Sequence, residues 1–86
     1  MLATQVDFLF FKYMQKTNTL HLVFTYDEKK SSLINISSSI QEINTVGFSV
    51  YDIITKSNSH YLVHIEQEIL NKYYNQLEIL QELLKN

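Results

Sequence analysis

The side chains able to do chemistry in this 86-residue chain are three histidines, two short runs of serine and a scatter of carboxylates, because there is no cysteine to supply a thiolate. His60, His64 and Glu68 recur at intervals of four, which on one continuous helix would place all three on a single face, as a metal site requires. Residues 61–65 alternate like a strand instead. In a strand His60 and His64 still share a face, but Leu62 lies between them and one tetrahedral ion could not join them without further ligands. The glutamate that completes a zincin pattern is also missing. His21, His60 and His64 are therefore expected at the surface or in hydrogen bonds, and no metal or cofactor is expected.

Nucleophilic catalysis fares no better. Ser31, Ser32 and Ser37–Ser39 lack the glycines of a nucleophile elbow and suit capping and turns. Asp52 could pair with Glu42 or Glu66, and it falls on the otherwise apolar face of its expected strand, but an edge position or a solvent-facing end is the preferred account of it. A single glycine leaves no loop to cradle a phosphate, and a core this thin has little room for a substrate pocket. The expectation is a protein that is not an enzyme.

Nucleic-acid binding is the next class. Phe8, Phe10, Phe11, Tyr13, Phe24 and Tyr26 crowd the first hairpin and could stack on bases, with Lys12, Lys16, Lys29 and Lys30 beside them. Yet the chain has no arginine, carries a net charge of −2 and lacks the RNP1 pattern. Nucleic acid is an unfavoured partner.

These residues sit on elements that the pattern predicts as follows. Val6 to Met14 is a strand with Val6, Phe8, Phe10 and Met14 on one face and Leu9, Phe11 and Tyr13 on the other, apolar on both sides. Gln15–Thr19 is a turn. Leu20–Tyr26 is a second strand, with Leu20, Leu22, Phe24 and Tyr26 on one face and His21, Val23 and Thr25 on the other, ended by the charged loop Asp27–Lys30. Leu33, Ile36, Ile40 and Ile43 step by 3, 4 and 3, which predicts a helix over 32–46, capped by Ser31 or Ser32 and closed by Gly47. The rival reading is a strand over Ser32–Ser37 followed by a short helix from Ser39. Phe48–Thr55 alternates as a strand, Lys56–Ser59 connects, and Tyr61–Ile65 returns. Leu70, Tyr73, Leu77, Leu80 and Leu84 then form a heptad seam, widened by Ile69, Tyr74 and Leu83, on one amphipathic helix from Glu66 to Lys85. Glu66 and Glu68 at its start and Lys85 at its end suit the helix dipole.

The expected architecture is a single α+β domain over 1–86: a small antiparallel sheet of two β-hairpins in β-β-α-β-β-α order, with a long C-terminal helix. The short apolar run Phe8–Phe11 stops at Lys12, too short for a signal peptide or membrane span, so a cytoplasmic location is expected. What remains is association between proteins. The doubly apolar first strand (Phe8, Phe10, Phe11, Tyr13) and the helical seam (Leu70, Tyr73, Tyr74, Leu77, Leu80, Leu84) are the candidate surfaces. The reading is a small homodimeric inhibitor or adaptor, of the kind phages and other mobile elements encode, that occludes a larger protein partner.

Overall fold

The computed structural model describes residues 3–26 and 33–84. The Asp27–Lys30 loop, the Ser31 and Ser32 caps and Lys85 lie outside the described residues. The chain forms five strands, β1 (Thr4–Met14), β2 (Thr19–Tyr26), β3 (Asn35–Gly47), β4 (Val50–Thr55) and β5 (His60–His64), then two short helices, α1 (Gln67–Gln76) and α2 (Glu78–Leu83). Each strand pairs antiparallel with the next, and β5 closes on β1 to make a barrel. In an up-and-down meander of odd strand number, first and last strands run the same way, so the closing pair has to be parallel. It is, and it is short: Thr4–Val6 opposite Tyr61–Val63. The expected α+β arrangement of an open sheet beneath a long helix is thus replaced by a closed barrel, which leaves fewer free strand edges.

The largest correction concerns the helix expected over 32–46: among the described residues of that span, 35–46 belong to strand β3 and none is helical. The reason lies in the bulges. Between His21 and Val23 of β2, β3 spends one extra residue from Ile36 to Ser39; it spends another between Ile40 and Glu42 against β4. Each insertion turns an inward step of two residues into a step of three. The buried residues of β3 are Ser37, Ile40 and Ile43, spaced like a helical stripe although the backbone is extended. The β-branched isoleucines and the serines, poor helix formers, fit the strand.

The C-terminal helix is the second correction. Leu77 adopts an extended conformation (φ −121°, ψ 112°) and divides the segment into helices of ten and six residues. A straight twenty-residue helix would be about 30 Å long, close to the longest dimension of the whole fold at 34 Å. The break lets Leu70 and Leu80 reach one small core: both are buried, Leu80 completely, with α2 lying against β2 and β3. The backbone opened at the break is repaired locally, with Leu77 N donating to Tyr73 O and the Gln81 amide donating to Tyr74 O at 2.7 Å.

Other expectations hold with small shifts. Leu20, Leu22 and Phe24 of β2 face the core as the alternation requires. The 56–59 connection is held by Thr55 N donating to Ser59 O, with Asn58 left-handed at φ 68°. Phe48 and Ser49, expected at the start of a strand, instead form the turn between Gly47 and Val50. No helix among the described residues is long and apolar enough to cross a membrane.

Candidate protein-contact surface

A bulge in β1 shapes an apolar part of the outer surface. Phe8 pairs with Phe24 and Phe10 with Val23, so Leu9 is an extra residue between them. Phe8 packs on the core, Phe11 is buried in it, and the two side chains between, Leu9 and Phe10, both lie outside. The alternation predicted for β1 therefore fails at this point: Phe10 leaves the face of Val6 and Phe8, and Phe11 takes its place.

Across the neighbouring strands the row continues. Phe10 stands opposite Val23, and Val23 opposite Ile36. Val23 belongs to the outward face of β2 yet is only 1% exposed, and it is absent from the interior core cluster. Its register partners Phe10 (44% exposed) and Ile36 (57%) stay open to solvent. Leu9, Phe10, Val23 and Ile36 thus make an apolar band across three strands. Asp7 and Lys12, both exposed, sit on the same face of β1 on either side of it.

His21 stands beside Lys12 in the register. Its Nδ1 lies 3.0 Å from the Ser37 carbonyl, which can only accept, so Nδ1 carries a proton. In the neutral ring Nε2 then accepts from the Thr19 hydroxyl at 2.9 Å. Ser37 also serves the bulge: its Oγ accepts from Leu22 N at 2.9 Å and donates to Ser38 O at 2.7 Å. Ser37 thus supports a strand bulge rather than the cap or turn expected of the serine run.

The remaining candidates are dispersed. Asp52 is on the outer face of β4, since Tyr51, Ile53 and Thr55 are the buried residues. Its partner is His60, with Nδ1–Oδ2 at 3.2 Å, and neither Glu42 nor Glu66; Asp52 Oδ1 is buried and has no hydrogen-bond partner. His60 and His64 occupy the two ends of β5, facing Ile54 and Val50, roughly 13 Å apart at about 3.3 Å per residue. No group of three metal-ligating side chains occurs among the described residues. Where β1 and β5 part there is an open cleft of about 500 Å³ lined by Gln5, Asp7, Val50, Leu62 and His64, without a serine or threonine in it.

The residues singled out as interface divide cleanly. Phe8 and Phe11 meet Tyr73 edge-on, with ring centroids 6.2 and 5.2 Å from it, so these three rings tie α1 to the barrel. Leu70 and Leu80 are buried, and Leu77 and Leu84 pack against the same core. Phe10, Tyr13 and Tyr74 are exposed. Of the hairpin aromatics, Phe24 faces inward, meets Tyr26 edge-on and packs at a tilt against Tyr61. Lys12 and Lys16 are exposed, while Lys29 and Lys30 lie outside the described residues.

Leu9, Ile36 and Phe48 are surface residues that sequence reasoning misses. Periodicity groups Ile36 with the buried Ile40 and Ile43, and Phe10 with Val6 and Phe8, because the bulges displace it. Phe48 is 92% exposed at the tip of the β3–β4 turn, beside Ser49 at φ 60°. The adjacent Gly47, a turn signal, is the clue to it. No family model, curated protein or solved structure matches this chain.

Proposed function

We propose that the protein is a small non-enzymatic binding module that acts by covering surface on another protein, and that the outer face of β1, β2 and β3 makes the contact. One observation carries this reading: the Phe10–Val23–Ile36 row, extended by Leu9, is apolar across three strands and open to solvent at both ends. Small proteins bury apolar surface where they can, and a contiguous exposed patch rimmed by polar residues is the usual mark of a contact site. An exposed aromatic ring in the row, with charges at the edge, matches the anatomy of such contacts. A barrel held by hydrogen-bonded strands would present this surface with little ordering cost on binding.

Base stacking is less well supported. Phe8, Phe11 and Phe24 are turned inward, leaving Phe10 as the single aromatic ring of the row, beside an acid at Asp7.

A photoreactive amino acid placed at position 10, and separately at the exposed Asn75 of α1, tests the reading in the source cell. The expected result is a discrete protein adduct from position 10 and none from position 75. Equal labelling from both positions, a nucleic-acid adduct, or no adduct at position 10 would overturn it.

A further inference from the structure

We infer that the occupant of this surface is a second copy of the same chain, docked about a two-fold axis that passes between Leu9 and Phe10. The inference rests on the contact surface proposed above. Its basis is the order of side chains along the outer face of β1, which reads Asp7, Leu9, Phe10, Lys12. This order is self-complementary. An isologous contact places residue i on j and j on i. With the axis between Leu9 and Phe10, Asp7 of each chain faces Lys12 of the other, and the four apolar side chains of Leu9 and Phe10 meet at the centre. The acid and the base lie some 13–16 Å apart along the strand, at about 3.3 Å per residue with one residue taken up by the bulge. That distance leaves space between them for two aromatic rings and two leucines. A parallel arrangement would set acid against acid, so the charges fix the direction of docking. Exposed ion pairs contribute little affinity, whereas like charges in contact are costly. Affinity therefore comes from the apolar centre and register from the ends. The bulge makes this possible: with regular alternation onward from Phe8, Phe10 would turn inward and Leu9 would be the one large side chain at the centre.

The test is sedimentation of the full chain from micromolar to near-millimolar concentration, with charge variants. Wild type is expected at twice the chain mass of 10.2 kDa. Asp7→Lys sets base against base at the Lys12 contact, and Lys12→Asp sets acid against acid at the Asp7 contact; each should weaken self-association on the order of a hundredfold. Mixing these two single variants should restore a dimer, because one chain then supplies both bases and the other both acids. The double variant D7K/K12D should also dimerise. A folded dimer indifferent to these charges and to Phe10→Glu would place the second copy elsewhere and overturn the inference. A wild-type monomer at every concentration would do the same. In that case a position-10 adduct with a different protein would leave the binding-module reading standing, and the absence of any adduct would remove both.

Discussion

The outer face of the first hairpin and the C-terminal helical segment carry comparable apolar side chains and use them in opposite ways. In the helices, Leu70 and Leu80 are buried and Tyr73, Leu77 and Leu84 pack against the core. In β1, two large apolar side chains in succession are turned outward by an inserted residue. The helical segment gives up its straight axis at Leu77 in order to bury its seam. The strand gives up its regular ladder and exposes two apolar side chains. A chain this small has little burial to spare, so an element that distorts itself towards exposure is the better indicator of a contact surface than an element that merely has an apolar stripe.

Several substitutions would break or sharpen this contrast, and the largest effects belong to the helical side. Leu80→Asp places an unpaired carboxylate in a fully buried site and is expected to unfold the chain, because its cost approaches the whole stability of a small domain, about 5–15 kcal/mol. Circular dichroism would show loss of the strand signal. Phe11→Ala removes one of the rings around Tyr73 and should lower stability by about 3–5 kcal/mol in urea unfolding. If Phe11→Ala cost no more than Phe10→Ala, the inward and outward assignments at the bulge would be reversed.

Ser37→Ala leaves the buried Leu22 amide without its acceptor, for a loss of about 1–3 kcal/mol. A negligible cost would mean that the bulge does not depend on the serine hydroxyl. Ser49→Gly has a smaller predicted effect than these and the opposite sign. It relieves a left-handed residue at φ 60° and should raise stability by up to about 1 kcal/mol. A lower melting temperature for this variant would show that the buried Ser49 side chain supports the turn.

Much of the strand pattern is legible in the sequence. In β2 alternation puts Leu20, Leu22 and Phe24 on the core face where the structure has them, although Val23 on the other face is also buried and Tyr26 is exposed, and the turn after Thr55 carries its own polar signal. What is hidden lies at the bulges and at the helix break. In β3 the steps of three from Ser37 to Ile40 to Ile43 imitate helical periodicity, and only the partner strands reveal that an extra residue has been inserted. In β1 the same device exchanges Phe10 and Phe11. The break at Leu77 has no glycine or proline to announce it. It follows from the mismatch between a helix of about 30 Å and a small barrel, which is a property of the assembled fold. The proposed surface is half legible: Phe10 stands out in the sequence, but its companions Leu9 and Ile36 become visible once the bulges set the register.

Phe10→Glu tests the central claim most directly, with thermal unfolding and sedimentation measured on the same sample. The exposed position predicts a melting temperature within a few degrees of wild type, since surface substitutions of this kind usually change stability by about 0.5 kcal/mol or less. Association is predicted to be lost. A large fall in melting temperature would show that Phe10 belongs to the core. Unchanged stability with unchanged association would show that the apolar row is not the contact surface.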